Sequence, residues 1–331
     1  MQRANKLITA VADLDNLRLA FWKARKGKSY AKEVQDYRHA LDQNLLDLRL
    51  QILTSQVKVG NYRYFKVYDP KKRQICASAF GEQVLHHALM NVCHATFERS
   101  QIFDSYASRK GKGTYAALDR ARSYARKSRF FLKLDVRKFF DSIHHSVLKN
   151  QIHDLIKDQR VLAIFYSIIE SYDAAPDGNG RGVPIGNLTS QYFANHYLSG
   201  LDHYIKEVLK IKAYVRYMDD MILWHDDKEV LKDAYHAIIQ YVENILHCNL
   251  KPELINYSSC GLPFLGYLLF PHHTRLAQRS KKRFIRKWNI LQELYDSGEW
   301  DESKCQRHLL PLLAFTQHAD AKSFRKKVMN V

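Results

Sequence analysis

Two acidic segments, each at the end of an apolar run, constrain this chain more than any other feature. They are Leu132-Lys-Leu-Asp-Val-Arg-Lys-Phe-Phe-Asp141 and Tyr217-Met-Asp-Asp220. Asp135 follows Phe130-Phe-Leu-Lys-Leu134, which reads as a strand. Asp219-Asp220 lies between Ala213-Tyr-Val-Arg-Tyr217 and Met221-Ile-Leu-Trp224, which read as the arms of a β-hairpin with an acidic tip. An Asp-Asp pair between strands is more often a solvated turn, because aspartate bonds readily to its own backbone there. Here Val215 and Tyr217 alternate before the tip and three apolar residues follow it, so the turn is anchored in a sheet core.

Three carboxylates brought together repel one another and raise one another's pKa unless a divalent cation neutralises them. The cluster therefore implies metal. Mg²⁺ takes hard oxygen ligands and keeps some waters, so few protein carboxylates suffice. Two such ions roughly 3.5–4 Å apart can activate an attacking hydroxyl and stabilise a leaving oxygen in line, the requirement of nucleotidyl transfer.

The charge balance agrees. Lys and Arg total 52 against 34 acidic residues, a formal net charge of +18 over 331 residues, which is the footprint expected of a nucleic-acid binder. The length allows about two domains and a sizeable core. The 20 tyrosines and 16 phenylalanines offer stacking surfaces, although aromatic residues are more often simply core. Cys76, Cys93, Cys248, Cys260 and Cys305 are scattered, with no Cys-x-x-Cys spacing, so neither a zinc site nor a disulfide framework is expected and a reducing cytoplasm is the simplest setting. No stretch approaches the roughly 20 apolar residues of a membrane span, and no signal-peptide core opens the chain.

Along the chain, residues 1–60 read as helical, with Asn16 to Ala24 and Tyr37 to Leu53 carrying apolar residues at helical spacing. Tyr62 to Tyr68 alternates like a strand, Asp69-Pro70 reads as a turn, and Arg73 to Cys76 returns as a second strand. Lys66 and Arg73, on opposite arms of this basic hairpin, are placed to reach a triphosphate, Arg as a fork and Lys as a point charge; an ordinary charged hairpin is the bland alternative. Ser108-Arg-Lys-Gly-Lys-Gly-Thr114 opens a helix and lacks the Walker spacing, so Arg109 and Lys110 read as contacts to template backbone. One helix is expected from His145 to Tyr172, then a loop to Gly182, then a helix through Asn195, Leu198, Leu201 and Ile205. Gly186 would let another chain or a nucleotide approach the backbone closely. A further helix over 228–247, a short strand pair in Leu262 to Leu269 and a basic helical region over 275–331, with Arg279 to Lys287, complete the reading. Such a run is often only a solvated face; here it is expected to grip a duplex backbone irrespective of sequence.

In this order the segments resemble a reverse transcriptase, over nearly the whole chain. The resemblance implies an α+β right-hand polymerase fold. Its parts would be an N-terminal helical extension (1–60), fingers and palm (61–270, fingers mainly 61–130 and palm mainly 131–270, with helices on one face of an antiparallel sheet) and a basic helical thumb (271–331). It implies that Asp135, Asp219 and Asp220 hold two Mg²⁺ ions, with Mn²⁺ as substitute and the Val136 carbonyl as a further ligand. Lys66 and Arg73 match the residues that hold the triphosphate, and Phe140 matches the aromatic gate that leaves no room for a 2′-hydroxyl, so the substrates are dNTPs. Phe139 is expected in the core. Phe264, Leu265, Gly266 and Tyr267 resemble the primer grip. Lys251 falls where a lysine protonates leaving pyrophosphate, with Lys228 and Lys232 as nearby alternatives.

One departure narrows the resemblance. Where most members read Pro-Gln-Gly-x-x-x-Ser-Pro, this chain reads Pro184-Ile-Gly-Asn-Leu-Thr-Ser-Gln191. The pair Ile185 and Gln191 is similar to reverse transcriptases of diversity-generating retroelements, bacterial or phage-encoded, which copy a template-repeat RNA with frequent errors at adenines. That implies as partners the template RNA, the cDNA/RNA duplex and a small basic accessory protein forming an oligomeric helical barrel. It also implies the absence of maturase, endonuclease and ribonuclease H segments. Loss of the family's glutamine contact to the incoming nucleotide, worth roughly 0.5–1.5 kcal/mol, lowers discrimination by up to about tenfold at about 1.4 kcal/mol per decade; it does not explain why errors favour adenine. Three other readings stay open: a retron or phage-defence reverse transcriptase, a template-independent nucleotidyltransferase, and a non-catalytic RNA-binding protein on the same fold.

Overall fold

The computed structural model describes residues 3–68, 73–174 and 178–329. The expected Asp69-Pro70 turn and the centre of the 173–182 loop lie outside them. The chain divides into two compact, interleaved units. The first comprises Met1–Phe103, Val136–Val208 and Ala237–Lys251, the second Asp104–Asp135, Leu209–His236 and Pro252–Val331. Residues 1–60 thus belong to the first unit and 271–331 to the second, while 61–270 contributes to both.

The first unit is mainly helical. Asp13 caps the helix Leu14–Ala24 by accepting from the amides of Asp15 and Asn16. The buried face of that helix, Leu17, Ala20, Phe21 and Ala24, follows the helical period, and Phe21 meets Phe80 of the helix Phe80–Arg99 edge to face, centroids 6.0 Å apart. Strands β1 (Tyr62–Val67) and β2 (Arg73–Ser78) form an antiparallel ribbon.

The single helix expected over 145–172 is two helices, His145–Leu155 and Gln159–Glu170. The apolar period runs on through the buried Ile156, but Asp158 starts a new helix by accepting from the amides of Arg160 and Val161, and its other oxygen accepts from Leu7 and Ile8. The expected helix through Ile205 is likewise broken, into Leu188–Tyr197, Ser199–His203 and a π-helical turn Tyr204–Val208.

The second unit is built on a four-stranded sheet. Its strands are β3 (Phe130–Asp135), β4 (Ala213–Tyr217), β5 (Asp220–His225) and β6 (Leu254–Tyr257), in the order β4-β5-β3-β6 with every pair antiparallel. Cross-strand partners share a face. Phe131, Ile222, Trp224 and Val215 therefore lie on one side, where they join Ala117, Leu118 and Ala121 of the helix Thr114–Ala125 in a buried core. The second sheet, β7 (Leu262–Phe264), β8 (Tyr267–Leu269) and β9 (Thr274–Leu276), adds Leu262, Phe264, Tyr267, Leu269 and Leu276 to that core. Three helices follow, Gln278–Asp296, Glu302–Gln317 and Lys322–Met329. Among the described residues no helix is long and apolar enough to cross a membrane.

Candidate active site

The acidic cluster assembles within the second unit. Asp135, the last residue of β3, is the register partner of Asp220, the first of β5. Met218 and Asp219 make the intervening turn, with Met218 in the left-handed region at φ 57°. Arg216, fully buried on β4, donates to the Met218 carbonyl at 3.0 Å and so supports the tip from below. The backbone of Arg216 is itself fixed, its amide donating to Asp104 O at 2.9 Å and its carbonyl accepting from Tyr106 N at 3.0 Å. Tyr217 bonds through its hydroxyl to Thr114 at 3.2 Å, tying the hairpin to the Thr114–Ala125 helix.

Burial pushes the Asp220 carboxyl up to about 6, Lys133 opposes that rise, and Asp135 and Asp219 add to it. Oδ2 of Asp220 accepts from Lys133 Nζ at 3.0 Å, whereas Oδ1 is buried with no hydrogen-bond partner. A buried carboxylate oxygen left so is costly unless a cation or donor reaches it. Among the described residues no three His, Cys, Asp or Glu side chains already stand as a finished ligand set. The donors are nevertheless all hard oxygens and one is orphaned, so the residues present fit a divalent ion of the Mg²⁺ class.

The hairpin Leu262–Leu269 belongs to the same unit. Leu265 and Gly266 both take positive φ, 49° and 89°, as a tight two-residue turn requires. Gly266 O accepts from Ala277 N and Ser280 Oγ at 3.0 and 2.7 Å, and the buried Tyr267 donates to Phe315 O at 2.6 Å. Phe264 is core. Arg109, in the loop before the Thr114–Ala125 helix, donates to Ser105 O at 2.6 Å, and Lys110 is exposed beside it.

The remaining candidates lie in the first unit. Val136 is buried and bridged to Leu250, and Arg137 N donates to Asn249 O at 2.8 Å. Lys251, next in the chain, is half-buried; its alternatives Lys228 and Lys232 lie in the second unit, Lys232 paired with Glu229 at 2.8 Å. Phe139 is buried, as expected, and Phe140 half-buried. Lys138 takes a left-handed φ of 46° at the start of a short helix, Phe139–Ser142, on which the two rings meet edge to face at 5.8 Å.

Phe140 O accepts from Val183 N at 2.9 Å, which joins it to the segment carrying Ile185. Ile185 O in turn accepts from Cys76 N on β2 at 2.8 Å. Gly186, at φ 139°, lies so near β2 that a Cβ there would stand 2.4 Å from Cys76 O. Ile185 is half-buried, and Gln191 is exposed on the Leu188–Tyr197 helix. Lys66 and Arg73 do not converge by register. Lys66 pairs with Gln74 and Arg73 with Val67, so they project from opposite faces of the ribbon, Arg73 on the face of Phe65, Ile75 and Ala77. Those three line a cavity of about 270 Å³ with Gly186 and Asn187.

A family model described as reverse transcriptase (RNA-dependent DNA polymerase) matches residues 70–269, more than half of the chain. The chain belongs to the reverse transcriptase family. Among curated proteins it is 22% identical over 272 residues to the COX1/OXI3 intron 2 protein of Saccharomyces cerevisiae, covering 63% of this chain and 30% of that one. It is 24% identical over 285 residues to protein YkfC of Escherichia coli, covering 70% and 74%. It thus spans less than a third of the yeast relative's length. Among solved structures, apo telomerase from Candida tropicalis, truncated from its C-terminal domain, aligns at a TM-score of 0.52 and 14% identity over 72% of this chain and 60% of that one. Candida tropicalis telomerase in complex with a fragment of telomeric RNA aligns at 0.51 and 13%, over 85% and 58%. These likenesses, with the antiparallel sheets and flanking helices, make the fold the α+β right-hand polymerase fold.

Within this reverse transcriptase domain two residues near the carboxylates escaped the sequence reading. In sequence Lys133 reads as part of an apolar strand, though a lysine two residues before Asp135 must share its face of the sheet. Arg216 had been one more polar residue in a hairpin arm; its complete burial has no signature in sequence.

Proposed function

We propose that the chain is an RNA-directed DNA polymerase that works by two-metal nucleotidyl transfer with Mg²⁺, Mn²⁺ being a substitute. In this reading it copies a template-repeat RNA into adenine-mutagenised cDNA for a diversity-generating retroelement. The observation that carries the polymerase reading is the pairing of Asp135 with Asp220 beside Asp219, with one buried oxygen of Asp220 left without a partner. Asp135, Asp219, Asp220 and the Val136 carbonyl would hold the ions. Once bound, these supply activation of the primer 3′-hydroxyl and stabilisation of departing pyrophosphate.

The chain's own residues do the rest. Arg73 binds the triphosphate as a fork, and Lys66, on the other face of the ribbon, adds a weaker point charge. Phe140 excludes a 2′-hydroxyl and so selects dNTPs. Lys251 delivers a proton to pyrophosphate, and Phe264 to Tyr267 hold the primer end. Arg109, Lys110 and the basic helix Gln278–Asp296 grip template RNA and the growing cDNA/RNA duplex. The mutagenic assignment, and with it a basic barrel-forming accessory protein, rests on Ile185 and Gln191.

Sequencing cDNA made on a defined RNA template, with and without the accessory protein, tests this. Errors concentrated at template adenines support the assignment. Faithful cDNA would keep the polymerase and move the biology to a retron or phage-defence enzyme. Additions that ignore the template would make it a template-independent nucleotidyltransferase, and RNA binding without incorporation a non-catalytic protein.

A further inference from the structure

Lys133 occupies an unusual place. It lies on the face of β3 shared by Phe131 and Asp135, its side chain about four-fifths buried. Its ammonium touches two different elements of the second unit, Asp220 Oδ2 on β5 at 3.0 Å and the carbonyl of Pro263 on β7 at 2.7 Å. Pro263 is the register partner of Leu268 in the hairpin that turns at Leu265-Gly266. One cation thus joins an oxygen of the acidic cluster to the backbone of the neighbouring sheet.

We infer that Lys133 is a positioning residue, the resident counter-cation of the acidic cluster, which holds Asp220 until a divalent ion takes over that carboxylate and which ties its state to the Leu262–Leu269 hairpin. The inference rests on the reading of Asp220 as a metal ligand. The divalent ion enters at the open Oδ1, beside the ammonium on Oδ2, and displaces Lys133 from the carboxylate. Lys133 therefore weakens metal binding while keeping the metal-free cluster together. Once released from Asp220, Lys133 holds the Pro263 carbonyl alone, and the hairpin loses its link to β5.

The test is Mn²⁺ binding to the metal-free protein followed by electron paramagnetic resonance, without substrates, beside hydrogen exchange at the amides of 264–269. Lys133→Met, apolar and of similar length, is expected to tighten Mn²⁺ binding by at least about fivefold, the weight of neighbouring charges even at the dielectric of water. It should also speed exchange in the hairpin before metal is added. Mn²⁺ should speed hairpin exchange in the wild type and leave that of Lys133→Met unchanged. Lys133→Arg, which keeps charge and donors, should stay near wild type in both readouts and exclude a mere folding defect. Unchanged or weaker Mn²⁺ binding in Lys133→Met, while Asp220→Asn abolishes it, would overturn the role of Lys133 and leave the metal site standing. Mn²⁺ binding that survives Asp220→Asn would overturn both.

Discussion

Asp135 and Asp220 stand opposite each other at the ends of β3 and β5, register partners on two neighbouring strands of one sheet. The apolar residues behind them make this position rigid: Phe131, Ile222 and Trp224 are buried on the same face, so a one-residue slip of either strand would turn its carboxylate to the other side. The sheet core therefore fixes which side chains meet at its edge. Asp220 is raised to about 6, mainly by its burial, with Asp135 and Asp219 adding to the rise.

Arg73 and Lys66 should be unequal. Arg73 projects on the face with Phe65, Ile75 and Ala77, which line a cavity with Gly186, and Lys66 on the other. Arg73→Ala is expected to raise KM for dNTP by about 10- to 100-fold, the weight of a hydrogen bond to a charged group, and Lys66→Ala by clearly less. Steady-state kinetics on each variant reads this directly, and equal effects would contradict the facing argument.

Gly186→Ala tests the packing of the Ile185-Gly186 segment on β2. The added methyl would meet Cys76 O at 2.4 Å in a backbone conformation at φ 139° that alanine rarely adopts. A loss of about 1–3 kcal/mol in stability is expected, together with loss of the Cys76 N to Ile185 O bond. Urea unfolding measures the first, and faster hydrogen exchange at the Cys76 amide reports the second.

Ile185→Gln restores the polar side chain usual in the family. Misincorporation opposite template adenine should fall, by up to about tenfold if one net hydrogen bond is regained. Deep sequencing of cDNA from wild type and variant on one template gives the ratio. An unchanged error spectrum would make the residue a marker of lineage without a part in fidelity.

Stability should depend on pH through His87. Burial, aided by nearby Lys23, His86 and Lys28, pushes its imidazole down to about 4 from 6.5. Between those values the unfolded chain takes up a proton that the folded chain refuses, so stability is full above pH 6.5, falls as pH drops toward 4 and levels off below. Urea midpoints across that range should slope less in His87→Gln than in wild type.

The parts of the fold legible in sequence were the apolar arms of β3, β4 and β5, the amphipathic helix Lys228–Asn244 and, by its basic run, the helix Gln278–Asp296. The edge strand β6 escaped because it is four residues long, with Leu254 and Tyr257 exposed, and so carries no alternation to read. The break at Asp158 escaped because buried Ile156 continues the period of the helix before it; only the capping aspartate signalled a new start. At the site, the identity of the carboxylates was legible from their flanks, whereas the facing of Lys66 and Arg73 was not. That depends on the pairing Val67↔Arg73, which encloses an odd number of residues, and an even number would have set the two cations on one face. Lys133 and Arg216 gain their meaning only from neighbours far away in sequence.

The most direct test of the central claim is primer extension on a defined RNA template with Mg²⁺ and dNTPs, wild type beside Asp219→Asn, with RNA binding measured on both. The account predicts template-directed DNA from the wild type, none from Asp219→Asn, and RNA binding nearly equal in the two. Full synthesis by Asp219→Asn would contradict it and remove the carboxylate cluster from the chemistry.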